Sequence, residues 1–141
     1  MIRRNAALWR ERALRYDTKP PGDNMDFEAA KALCRTFPGC TEDIKWDHDT
    51  VFSVGGKMFA VTNAAGPAEG FSFKVDDERF LELTDRPGII PAPYLARAKW
   101  VYVNAQARID DAEVSALLRR SHELIFAKLT RKLQREILEV A

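Results

Sequence analysis

Two histidines and two cysteines leave this chain few parts for bond-making chemistry. His122 directly follows Ser121, and adjacent positions on a helix splay by about 100°, so hydroxyl and imidazole do not face each other as nucleophile and base must. His48 lies in Asp47-His48-Asp49, behind Glu42 and Asp43, the one place where metal-ligand residue types crowd together. Consecutive strand positions point to opposite faces, which predicts a solvated turn and no metal there. Cys34 and Cys40 lack the paired spacing of a zinc site and read as reduced thiols. Gly55-Gly56 lacks the flanking pattern of a phosphate-cradling loop. The residues therefore point away from an enzyme, and to no metal or cofactor.

Binding to phosphates asks for less: clustered Lys and Arg on a surface. The net charge of +1 is unevenly spread. Residues 1–24 hold six Lys/Arg against three Asp/Glu, residues 25–118 ten against fifteen, and residues 119–141 six against three, so the ends are basic and the middle acidic. The N-terminal set includes Arg3, Arg4, Arg10, Arg12 and Arg15, and the C-terminal set is Arg119, Arg120, Lys128, Arg131, Lys132 and Arg135. Part of the latter needs no ligand, because cations near a helix C-terminus offset its dipole.

The elements that must position these charges follow from hydrophobic spacing. Ile2, Ala6, Trp9, Ala13 and Tyr16 recur at about helical spacing, so residues 1–24 read as an Arg-rich extension that is either a short amphipathic helix against the domain or a partner, or a frayed extension ahead of a start at Met25. Lys19-Pro20-Pro21-Gly22 interrupts it, and Met25 opens a plausible complete domain over residues 25–141. Asp26 is the expected N-cap of a helix carrying Phe27, Ala30, Cys34 and Phe37, stopped by Pro38-Gly39. Strands are expected at Asp43 to Trp46, Val51 to Val54, Lys57 to Thr62 and Gly70 to Val75, with Gly55-Gly56 as a two-residue hairpin turn.

Asp76 is expected to cap a short helix with Phe80, Leu81 and Leu83, followed by a proline-punctuated loop through Pro91 and Pro93. Lys99 to Asn104 reads as the last strand. Asp110 and Glu113 have capping-box spacing ahead of one long amphipathic helix through Leu133 to the terminus. Trp46, Trp100 and Tyr102 read as strand aromatics that fill a core. The order predicts an α+β domain, a mostly antiparallel sheet with helices packed on one face. A 46% hydrophobic share suits one core. No run nears the roughly 18 apolar residues of a membrane span, and the start lacks a secretory stretch, so no membrane association and a cytoplasmic location are expected.

Several segments, in order, resemble the MmcQ/YjbR family: Phe37-Pro38-Gly39, Val54-Gly55-Gly56-Lys57-Met58-Phe59-Ala60, Phe73-Lys74, Arg86 to Tyr94, Lys99-Trp100-Val101, and Ser121-His122-Glu123-Leu124-Ile125 with Lys128-Leu129. The resemblance covers about residues 25–133. It implies a domain related to the frataxin-like fold, for which a double-wing mode of DNA binding has been proposed, with biochemical function largely unassigned. Hairpins can serve as such wings. Lys57 at the glycine hairpin, Lys74 at a strand end, and Arg97 and Lys99 leading into the Trp100 strand are then the candidate nucleic-acid contacts. Frataxin-like relatives suggest iron, but Asp26 to Phe37 contains only Asp26 and Glu28 as acids. The expectation is a non-enzymatic binding protein, taking DNA weakly and without sequence preference; the alternative is an adaptor that meets another protein through the N-terminal arm or the C-terminal helix.

Overall fold

A computed structural model describes residues 26–46, 49–63, 70–105 and 107–140. Helix α1 (Phe27–Thr36) leads into strands β1 (Cys40–Lys45), β2 (Asp49–Val54), β3 (Lys57–Asn63) and β4 (Gly70–Lys74). Helix α2 (Asp77–Thr84), strand β5 (Ile89–Pro91), a 3-10 turn (Ala96–Ala98) and strand β6 (Trp100–Asn104) follow, then helices α3 (Asp111–Phe126) and α4 (Arg131–Val140). The strands form one sheet in the order β1-β2-β3-β4-β6-β5, with every pairing antiparallel.

Alternation assigns the two faces. Phe52, Ala60, Phe73 and Val101 are register partners across four strands and belong to the core, with Phe71, Val103 and Ile89. Ala30 and Cys34 from α1, Leu83 from α2, Leu117, Leu118 and Ile125 from α3, and Leu129 and Ile137 close over that side. The helices therefore share one face of the sheet. Burial of this kind is worth about 25 cal/mol per Å² of apolar surface, which makes the face the main stabilising layer.

Local chemistry sets the element ends. The Asp26 carboxylate accepts from the Ala29 N–H at 3.1 Å, and Asp110 accepts from the Glu113 N–H at 2.8 Å, as N-caps should. Gly55 and Gly56 have φ of 58° and 83°, the paired left-handed values a tight hairpin turn demands. Gly55 also has no room for a side chain, since a Cβ there would lie 2.6 Å from Cδ1 of Leu129.

Four expectations are corrected. The C-terminal helix is two helices: the Thr130 hydroxyl accepts from the Leu133 N–H at 3.2 Å, and the Gln134 amide donates to the carbonyls of Phe126 and Leu129. That break lets Leu129 and Leu133 settle on Gly55 and Ile137 on Gly39. The proline loop contains β5, where Pro91 is tolerated because β5 is an edge strand. Asp76 occupies the N-cap of α2 without a side-chain cap bond, its carboxylate being taken by Arg120. Trp46 is 64% exposed in the turn after β1, with φ of 51°, and fills no core. Tyr102, half-buried on the row that alternates with Val101 and Val103, lies outside the core as well, whereas Trp100 is 4% exposed.

Candidate functional site

The strand pairing of β3 and β4 ends at Ala60 and Phe73 because β3 bulges: Phe52 pairs with Ala60 and Ser53 with Met58, leaving Phe59 as an extra residue. The bulge lets Phe59 join Ala60 on the helix-facing side, where its ring meets Phe37, Phe52 and His122. It also leaves two backbone groups without a ladder partner. Ser121 supplies both, accepting from the Lys74 N–H at 2.9 Å and donating to the Phe59 carbonyl at 2.7 Å. A buried side chain of α3 thus does the work of a ladder hydrogen bond and fixes where Lys74 stands.

His122, beside it, is also structural. Its ring packs among Phe37, Phe59 and Phe126, and Nε2 lies 2.8 Å from the Pro38 carbonyl, so the neutral ring donates there. Burial lowers its pKa, which keeps it neutral. Cys34 and Cys40 are free thiols. Burial pushes Cys34 well above the usual thiol range and Cys40 up to about 11, so neither is a ready thiolate. Of the Asp47-His48-Asp49 run, Asp47 and His48 lie outside the described residues. Among the described residues no group of three or more metal-ligating side chains converges.

The structure brings part of the cationic set together. Lys74 ends β4, and its ammonium donates to the Ala98 carbonyl in the 3-10 turn. Arg97 is exposed on that same turn. Lys99 closes the turn with φ of 63°, and its Nζ stands 5.1 Å from the Phe80 ring centre. Burial lowers the Lys74 pKa, and the charges of Lys128 and Lys99 lower it further, against Asp77 and Asp76, which raise it. Lys74 thus feels the charges of both Lys128 and Lys99. Lys57 is exposed where β3 leaves the hairpin, two residues before Phe59.

Lys128 was legible only as one of a basic series on the last helix. The break after Phe126 separates it from that series and leaves it exposed beyond the C-terminus of α3, where a cation also suits the dipole. Arg131 and Lys132 instead open α4, where the dipole disfavours them, so the helix-end explanation offered for part of the series holds for Lys128 and not for these two. Arg119 stacks over the Phe37 ring at 5.5 Å.

Five cations elsewhere are matched in ion pairs. Arg79 and Arg86 both bind Glu113 and Glu82, Arg120 binds Asp76 and Glu123, Arg35 binds Glu42, and Lys31 binds Glu28. Among the described residues no ion pair involves Lys57, Lys74, Arg97, Lys99 or Lys128. Five of the fifteen acids of the middle segment, Glu28, Glu42, Asp76, Glu82 and Glu113, are engaged in these pairs, and none of the pairs reaches the lysine end.

This is an α+β domain of antiparallel sheet and one-sided helices, and its relatives agree. The YjbR family profile matches residues 35–124, and the chain belongs to that family, also called MmcQ/YjbR. A crystal structure of a Deinococcus radiodurans protein with the domain DUF419 is similar over 84% of this chain and 91% of its own, with a TM-score of 0.71 and 26% identity. A Pseudomonas syringae protein shares the fold at a TM-score of 0.61 and 19% identity, over 72% of this chain and 99% of its own. No curated protein matches the chain.

Proposed function

We propose that this protein is a non-enzymatic binding module of the cytoplasm that takes a polyanion, DNA first, at the lysine end of the sheet. The observation that carries this reading is the contrast in pairing: Lys74, on which Lys128 and Lys99 act, is like them in no ion pair among the described residues, while Arg79, Arg86 and Arg120 are matched. Like charges held this close gain from a phosphate placed between them. The Lys74 ammonium spends one of its three donors on Ala98 and keeps two for a ligand. Lys57 on the hairpin and Arg97 on the turn extend the footprint on either side.

Few contacts mean weak binding without sequence preference, on the order of 10⁻⁴ to 10⁻⁶ M at physiological salt. A labelled duplex titrated at two salt concentrations tests it. Wild type should bind more weakly as salt rises, and the variant with Lys57, Lys74, Arg97 and Lys99 all replaced by Ala should lose binding and flatten the salt slope by about one per lost contact. Binding that is equal in the two proteins, or absent from wild type at low salt, would remove this surface from consideration.

One observation favours a second reading, a polypeptide partner on the C-terminal helix. Leu138 and Val140 of α4 are 57% and 86% exposed. Association there would tolerate salt, unlike phosphate binding.

A further inference from the structure

Strand β1 is one edge of the sheet, and every residue from Thr41 to Trp46 is exposed. Its backbone groups face two ways. A two-residue turn is closed by a bonded pair, here Val54 and Lys57 around Gly55-Gly56, so Val54 points its N–H and C=O at β3. Alternation along β2 then turns Ser53, Val51 and Asp49 towards β1, where their partners are Thr41, Asp43 and Lys45. Glu42 and Ile44, lying between those partners, are left with N–H and C=O aimed at the open edge. Cys40 obeys the same rule, since its N–H leaves the ladder to bond the Phe37 carbonyl at 3.2 Å. Asp43 and Lys45 share one face with Thr41, while Glu42 and Ile44 share the other with the core residue Phe52. Charge commonly blunts such an edge. Here it is joined by Ile44, 73% exposed, and Trp46, 64% exposed, two large apolar side chains at the end of an unpaired strand.

We propose that β1 pairs with β1 of a second copy of this chain, antiparallel, about a two-fold axis that passes between the two Ile44 residues. A two-fold that continues the sheet and keeps its faces sets one residue opposite itself. An axis at Glu42, Asp43 or Lys45 places a charge against its own copy, which is destabilising. An axis at Cys40 or Thr41 carries Ile44 and Lys45 past the start of the other strand. Ile44 is the remaining centre, and there Asp43 lies opposite the copy's Lys45 and Lys45 opposite its Asp43. The two isoleucines meet on the helix side, as the bonded pair that their edge-facing N–H and C=O allow. Trp46 then comes opposite Glu42 of the copy, whose carboxylate accepts from the Arg35 guanidinium at 2.8 Å, a cation on which the indole can lie. The contact uses the edge farthest from β5 and leaves the lysine end open, so it stands apart from anion binding.

Sedimentation of the full chain over rising concentration at low salt tests this pairing. Wild type should pass from monomer to dimer. Asp43→Lys and Lys45→Asp each set like charges opposite and should each weaken the dimer about tenfold, whereas the two together should restore it to within about threefold of wild type. Both side chains are exposed, so thermal unfolding of the dilute variants should stay cooperative. Under mild oxidation in a Cys40→Ser background, Ile44→Cys should form a disulfide-linked dimer about tenfold faster than Thr41→Cys, because bonded partners across a sheet stand about 5.5 Å apart, within disulfide reach. That comparison keeps the native charges and decides the matter should a charge variant fail to fold. A chain that stays monomeric up to about 1 mM, a double variant no tighter than either single one, or equal cross-linking at the two cysteines overturns the proposal.

Discussion

The two ends of α3 carry the same kinds of charge in opposite states. At its start, Glu113 is clamped by Arg86 at 2.9 and 3.0 Å and by Arg79 at 3.0 Å, with Glu82 bound to both arginines. Just past its end, Lys128 stands with Lys74 and Lys99, none in an ion pair among the described residues. The first region ties α2 and the turn before β5 to α3 and is finished as it stands. The second is the end to which the proposed function assigns an anionic ligand. Location inside one charged segment of sequence thus says little about function, and the state of pairing says much more.

Four perturbations sharpen that contrast, beginning with the scaffold beneath the lysines. Trp100 opens β6 opposite Lys74 with its ring buried, and its backbone N–H donates to the Leu95 carbonyl at the base of the turn that carries Arg97. Trp100→Ala should lower stability by about 3 to 5 kcal/mol, read from a urea unfolding curve. An unchanged midpoint would mean the lysine end does not rest on this ring. Ser121→Ala removes the hydroxyl that joins Lys74 to Phe59, leaving a buried donor and acceptor unpaired, at a cost of about 1 to 3 kcal/mol. Its amide signature should be local, with faster hydrogen exchange at Lys74.

The clamped end should answer to acid. Its arginine partners lower the Glu113 pKa from the ordinary 4.5, so this group's stabilisation is present above that value and is lost as pH falls through the lower folded value. Glu113→Gln should cost about 1 to 2 kcal/mol at neutral pH and show a shallower decline below pH 4.5 than wild type. Parallel acid limbs would show that the clamp adds no stability. The smallest effect belongs to His122. Burial lowers its pKa from the ordinary 6.5, so stability is full above that pH and declines as pH falls below it, when the unfolded chain takes up the proton first. His122→Gln should flatten that decline in thermal unfolding between pH 7 and 5.

Most of the scaffold was legible in the sequence because its signals were local. The Asp26 and Asp110 caps, the Gly55-Gly56 turn and the alternation of Phe71 and Phe73 each depend on neighbours a few residues away. The break after Phe126 was not, since the apolar spacing continues through Leu129 and Leu133 and masks the bonds that Thr130 and Gln134 make there. Strand β5 was hidden by its prolines, and Trp46 by its β-like neighbourhood. At the site, Lys74, Arg97 and Lys99 could be placed near one another from strand order, whereas Lys128 could not. Its membership follows from the helix break, and the freedom of the set follows from partners that Arg79, Arg86 and Arg120 find across the fold.

Amide chemical shifts of the isotope-labelled protein, followed as a short DNA duplex is added at low salt, compare the two ends of α3 in one measurement. Shifts concentrated at Lys57, Lys74, Arg97, Lys99 and Lys128, moving progressively and reversing with added salt, are the predicted result, with Arg79, Arg86 and Glu113 unmoved. Shifts that gather instead around the clamped arginines, or none at all at duplex concentrations up to the order of 10⁻⁴ M, would contradict the assignment of the lysine end as a phosphate-binding surface.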